Sequence, residues 1–214
     1  PYMHIPYDGR GIARVTNPHP PASERDRMHQ LYQENVGYLD EHLATLWQDL
    51  RDLGLWDNTV IALTADHGEE FYEHSGWWHG TTLYEEAVHV PLMLKLPRQE
   101  RAGTRVAEPV RTIDVAPTLL SVARVKRPPA FMGVDLTTAA ADSKPLYAEE
   151  DHEGNDLHSL RIGDWKLITA NPGNPRGLQP VELYDLAADP GETRNLAASE
   201  GPRVAEMSKA LAQE

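Results

Sequence analysis

Apolar positions recur at i, i+3 and i+4 from about residue 24 to residue 53, where Met28, Leu31, Tyr32, Val36, Leu39, Leu43, Leu46, Trp47 and Leu50 are separated by charged residues. This spacing predicts a long amphipathic helix. Ser23 is placed to cap its start, and Gly54 to end it in a left-handed conformation. The pattern then changes. "NTVIALTADHG" is short and continuously apolar, as in a strand of a sheet buried on both faces, and it runs into a polar loop at its carboxyl end. In open α/β sheets that edge is where ligands bind. "LYEEAVHVPLMLKLP" predicts a short helical turn and a second buried strand over Val90 to Leu96. "RTIDVAPTLLSVARV" predicts a helix, with Asp114 near its start and Pro117 tolerated in its first turn.

From Lys144 onward the texture is different. "PLYAEE", "HSLRIGDWKLITA" and "VELYDLAADP" are short alternating runs punctuated by Gly, Pro, Asn and Asp, which predicts antiparallel strands and hairpins. A closing helix is expected from about Gly201 to Gln213. The expected fold class is therefore α/β, a mixed sheet flanked by helices, followed by a small α+β subdomain with an antiparallel sheet and a terminal helix. Residues 1–136 form the first part and residues 144–214 the second.

Composition narrows the function classes. The chain has 214 residues, 20 basic and 33 acidic, for a net charge of -13. It has no Lys/Arg run, which argues against a nucleic-acid or anionic-membrane partner because counterion release needs clustered cations. An anionic substrate must be gripped locally. Without cysteine there is no disulfide framework, thiolate metal site or thiol nucleophile. No apolar run reaches the roughly 18 residues of a membrane span, so a soluble chain is expected. The opening "PYMHIPYDGRG" has neither the basic nor the apolar region of a signal peptide, and its loop-like texture suggests a piece of a longer protein.

The stretch "LTADHGEEFYEHSGWWHG" concentrates imidazoles and carboxylates. Asp66 and His67, at the end of a strand, can turn toward one ion; alternatively Asp66 caps the next turn and His67 is exposed. His79 can be a cation that grips an anion or a packing residue. Glu69, Glu70, Glu73 and His74 read as a solvated face, and Trp77 and Trp78 as core or pocket wall. His152 and His158 can lean over a pocket mouth or cap strand ends. Arg161 and Lys166 are expected on a solvent face, and His89 as a packing histidine.

Together these pieces resemble the C-terminal half of a sulfatase, in the alkaline-phosphatase-like superfamily. "MHIPYDG" is similar to the family's His-x-Pro-Tyr loop, and "TVIALTADHGEEFYEHSGWWHGTTLYEEAVHVPLML" to its strand, metal loop and following segment. "TIDVAPTLLSVA", "LRIGDWKLI" and "ELYDLAADPGETRNLA" resemble three later motifs in the family's order. The resemblance implies that Asp66 and His67 are the later pair of metal ligands. It implies that His4 contacts the transferred sulfate group. His79 falls where many members have a Lys that holds a sulfuryl oxygen or assists the leaving group, which makes that charge pH-dependent.

The implied cofactor is a divalent metal, Ca²⁺ as in most sulfatases, with Mg²⁺, Mn²⁺ and Zn²⁺ also compatible. The implied partners are a small-molecule or sugar sulfate ester and a missing N-terminal half of the same protein. That half is expected to supply the Cys/Ser-x-Pro-x-Arg nucleophile motif and the first Asp pair, neither of which occurs here. Two other functions stay open: a phosphodiester or phosphonate monoester hydrolase of the same superfamily, and a non-catalytic interaction domain.

Overall fold

A computed structural model describes residues 21–138 and 144–213. In chain order the elements are α1 (Ala22–Asp52), β1 (Ile61–Thr64), β2 (Glu70–Phe71), β3 (Trp77–Trp78), α2 (Glu85–Val88), β4 (Leu92–Lys95) and α3 (Val115–Val122). They continue with β5 (Leu146–His152), β6 (Asn155–Ile162), β7 (Trp165–Ala170), β8 (Val181–Asp185) and α4 (Gly201–Leu211). The result is a mixed α/β chain whose last part is an antiparallel sheet closed by a terminal helix.

The described residues fall into two compact units. One contains α1, residues 70–78 and residues 95–102. Helix α1 starts one residue before Ser23: Pro21 precedes its first turn and no side chain caps it, so the expected Ser23 cap is not used. Pro21 has no N–H to leave unsatisfied, and its fixed φ suits the entry to a helix. The other end is as expected. Gly54 has φ 67°, its N–H donates to the Arg51 carbonyl, and the Leu55 N–H donates to the Leu50 carbonyl, a Schellman termination. The Phe71 ring meets His29 and Tyr32 of α1 edge-on, at 5.3 and 5.1 Å. Trp56 is covered by the Arg51 guanidinium and by Lys95, whose ammonium also donates to the Trp56 and Thr59 carbonyls. No described residue of α1 is buried, and Tyr32, Val36, Leu39 and Leu46 are exposed.

The other unit contains residues 62–69, 79–94 and 103 onward. Strands β1 and β4 pair as a two-stranded sheet. Its faces are half-exposed, with Met93 57% accessible, whereas burial on both faces was expected from the apolar runs. Two strands offer each other hydrogen bonds but no layer above or below, so apolar composition alone cannot bury them.

Strands β5, β6, β7 and β8 form an antiparallel meander, with Leu167 opposite both Leu160 and Leu183. Alternation sends Leu167 and Leu183 toward Met207 of α4, and Ile168 and Tyr184 toward Tyr84. The sheet is thus covered on both sides. The "DPGETRNL" turn is tied down by its own side chains. Asp189 accepts from the Arg194 N–H, and Asn195 accepts from the Leu183 and Ala197 N–H groups.

Candidate active site

The loop after β1 is held by a close backbone approach. The Gly68 N–H donates to the Ala87 carbonyl at 2.8 Å, and a Cβ on Gly68 would lie 2.0 Å from the Glu86 carbonyl oxygen. Only glycine fits there. Asp66 and His67 precede this contact. The Asp66 carboxylate is 90% exposed and accepts from the His67 N–H. Backbone N–H donation, then the neighbouring His67 imidazole, holds its carboxyl below the ordinary range. His67 Nδ1 lies 2.9 Å from the Gly68 carbonyl, which can only accept, so Nδ1 carries a proton there and Nε2 is the nitrogen not committed to that carbonyl.

His79 joins this pair. Its ring stacks on His67 with centroids 3.7 Å apart, and its Nδ1 is 2.7 Å from Glu69 Oε1. The β2–β3 register pairs Glu70 with Trp78, so the next residues outward along the chain, Glu69 and His79, stand opposite each other. Ligand atoms of His67, Glu69 and His79 all lie within 4.8 Å of one another, close enough to share a metal ion. Glu69 Oε2 is buried and has no hydrogen-bond partner among the described residues.

Two of the carboxylates expected on a solvated face are not there. Glu69 is mostly buried beside His79, and Glu70 is fully buried, accepting from the His74 and Gly76 N–H groups. A charged residue at a loop's inner side is retained where it satisfies N–H donors that water cannot reach.

The far shoulder of the site is anchored in the C-terminal sheet. Glu85 accepts from Arg161 at 3.1 Å and from Lys166 at 2.9 Å, while Lys166 also lies 2.9 Å from Glu192. Lys166 is therefore inside, not on a solvent face, at 2% exposure, while Arg161 is half-buried. Burial alone would push the Glu85 carboxyl up, but the Lys166 and Arg161 charges hold it low; burial keeps that of Glu192 high despite Lys166. The Tyr84 and Tyr184 hydroxyls both donate to Glu182. His89 is exposed, 3.6 Å from Glu85, and not packed.

Gly80, with φ 80°, brings the backbone against His152: a Cβ would sit 3.2 Å from the imidazole Cδ2. His152 thus leans from the end of β5 onto the residue after His79. His158 does not; its Nδ1 meets the Tyr147 hydroxyl and its Nε2 lies 3.1 Å from Asp156. His4 lies outside the described residues. The sequence singled out Asp66, His67 and His79 within one stretch but missed Glu69, whose only signal was its symmetry with His79 about the intervening hairpin.

This combination, a polar loop at a strand's carboxyl end together with an antiparallel C-terminal sheet, places the chain in the mixed α/β class. Comparison with known proteins specifies it. The sulfatase family model matches residues 3–125, and that of the N-sulphoglucosamine sulphohydrolase C-terminal region matches residues 73–214. The chain belongs to the sulfatase family. It is 30% identical over 196 residues to arylsulfatase K of Mus musculus, covering 85% of this chain and 34% of that protein. It is 30% identical to the N-acetylglucosamine-6-O-sulfatase of Bacteroides thetaiotaomicron, covering 77% and 31%. A protein solved in complex with its substrate D-glucosamine-2-N,6-O-disulfate superposes with a TM-score of 0.69 at 28% identity, over 83% of this chain and 37% of the other. The chain thus spans about a third of the length of the curated relatives it matches.

Proposed function

We propose that this chain is the C-terminal portion of a metal-dependent sulfatase that hydrolyses sulfate esters, a sugar or other small-molecule sulfate being the substrate. The observation that carries this is the convergence of Asp66 and His67, on the loop after β1, with His79, which follows β3. The two parts expected from the sequence, residues 1–136 and 144–214, are proposed as the end of the catalytic domain and its C-terminal subdomain.

The donor set fits a divalent metal. Asp66 offers an exposed carboxylate, and His67 offers Nε2, its other nitrogen being committed to the Gly68 carbonyl, a pattern that orients metal-ligating imidazoles. When bound, a divalent metal would supply charge neutralisation for the oxygens of the sulfuryl group. Ca²⁺ takes six to eight oxygen ligands, so these residues hold part of a shell, and the remaining ligands and the nucleophile come from sequence outside these 214 residues. The half-exposed β1–β4 sheet and the uncovered apolar residues of α1 support that reading. His79, when protonated, holds a sulfuryl oxygen or gives a proton to the departing alcohol; His4 is assigned a sulfate contact on the family motif alone.

The test uses the full-length gene product. Asp66→Asn and His79→Ala are expected to lower kcat/KM on an aryl sulfate by at least a hundredfold, about 2.7 kcal/mol. Turnover unchanged in both variants would sink the proposal. Asp-His in place of Asp-Asn, with His79 in place of Lys, favours a second reading, phosphonate or phosphodiester hydrolysis. Matched aryl sulfate and aryl phosphonate esters decide between them, a strong sulfate preference excluding the second. A non-catalytic role would leave both untouched.

A further inference from the structure

A lysine at position 79 would need no help to present its charge, because its ammonium has donors in every direction. An imidazole does need help. It has two nitrogens, two neutral tautomers and a ring that can turn, and only one nitrogen can face an ester oxygen at a time. We propose that Glu69 is the residue that resolves this ambiguity: by accepting from Nδ1 of His79 it fixes the ring and its tautomer, and leaves Nε2 as the nitrogen that meets the substrate. This rests on the role given to His79 above.

Four observations converge on it. Glu69 Oε1 and His79 Nδ1 are 2.7 Å apart, the length of a charge-assisted hydrogen bond. The Glu69 side chain is 18% exposed while that of His79 is 45% exposed, so the carboxylate is the inner partner and the imidazole the outer one. The backbone just before Glu69 is anchored, because Gly68 lies close against the Glu86 carbonyl and its N–H donates to the Ala87 carbonyl. One face of the His79 ring is occupied by His67, which limits how far the ring can turn. An acceptor fixed on one edge and a ring stacked on one face leave His79 few alternatives, and preorganisation of this kind removes an entropic cost at the moment of reaction. Glu69 does not itself touch the ester. It is a positioning residue.

The experiment compares wild type, Glu69→Gln, Glu69→Ala, His79→Ala and the double alanine variant of the full-length enzyme. Each is assayed on sulfate esters with good (nitrophenyl) and poor (alkyl) leaving groups, and ¹⁵N spectra of the imidazoles are recorded in alkaline buffer. The Ala variant is expected to lose 10- to 100-fold in kcat, as for other groups that orient a functional imidazole. The loss should be larger for poor leaving groups, with KM little changed. Gln, whose amide oxygen still accepts from Nδ1–H, should recover most of the rate. The His79 ¹⁵N pattern should be that of the Nδ1–H form in wild type and Gln, and shift toward a tautomer mixture in the Ala variant. Glu69→Ala should cost nothing further in the His79→Ala background.

The inference is overturned by a Gln variant as impaired as the Ala variant, by losses equal for both leaving groups, or by an unchanged ¹⁵N pattern. If Glu69→Ala behaves as wild type while His79→Ala is inactive, Glu69 has no such role and the sulfatase reading stands. If His79→Ala is fully active, the assignment of His79 falls first.

Discussion

The β5–β8 sheet and the β1–β4 sheet are built from similar apolar runs, and they end in opposite states. In the former, Leu157, Leu160, Leu167, Ile168 and Leu183 are fully buried, because α4 covers one face and the Tyr84–Ala87 segment the other. In the latter, no described residue is buried and Met93 is more than half exposed. One sheet finds both of its covering layers within the chain; the other carries at its end the loop of Asp66 and His67, on which the His79 ring stacks. On the proposed function stability and chemistry fall in different regions, and substitutions should divide the same way.

The largest effect on stability is expected at Lys166. Replacing it with Met leaves Glu85 and Glu192 facing each other in the interior without their shared counter-charge, which should cost about 3–5 kcal/mol in chemical denaturation. It should also loosen the Glu85 segment that Gly68 packs against. A loss under about 1 kcal/mol would mean that the cluster is wetter than its burial indicates.

Next comes Gly68→Ala. Its methyl group collides with a backbone oxygen, so the 66–68 loop or the 86–87 turn must move, at a cost of about 1–3 kcal/mol. Divalent-metal affinity, measured by calorimetry on the full-length protein, should fall with it. Retained affinity would show that the loop is not fixed by this contact.

Asp114 sharpens the comparison through pH. It is buried at the start of α3 and accepts from the Arg111 side chain and from the Arg111 and Val134 N–H groups. Burial alone would raise its carboxyl, but those donors outweigh it and hold it below the ordinary value of 3.8. A carboxyl lowered on folding stabilises the native state above its unfolded value, and that contribution vanishes as pH falls through the folded value. The stability gap between wild type and Asp114→Asn should therefore be full above about pH 5 and close as the pH drops below about 4. A gap that does not change with pH would place the stabilisation in packing instead.

The smallest effect on stability belongs to Asp66→Asn. The residue is exposed, so its loss should stay within about 0.5 kcal/mol, while metal binding drops sharply. That asymmetry, the reverse of Lys166, is the separation of the two regions in its plainest form.

Much of this was legible from local pattern. The 3.6-residue period marked α1, and Gly54 marked its end. Alternating runs marked β5 to β8, and the "DPGETRNL" turn announced its side-chain brackets. Ordered motifs singled out Asp66, His67 and His79 within one stretch of the chain. Three expectations failed for a common reason. Glu69 and Glu70 read as solvated, and Lys166 read as surface, because a charge in a short polar run is ordinarily exposed; what buries these three is a partner distant in sequence or a folded-back backbone. The burial expected for β1 and β4 failed in the other direction, since an apolar run states a demand for covering layers without supplying them.

The sequence by itself determined the period of each element, the turns that end them, the family and the loop that bears the imidazoles, since all of these follow from neighbours within a few residues. Tertiary structure alone decided that Glu69 meets His79, that His152 leans on Gly80 and that Lys166 is enclosed by Glu85 and Glu192. Those pairings depend on the register of a hairpin and on which face of a sheet is covered. Both are settled by the packing of the whole, and spacing along the chain does not specify them.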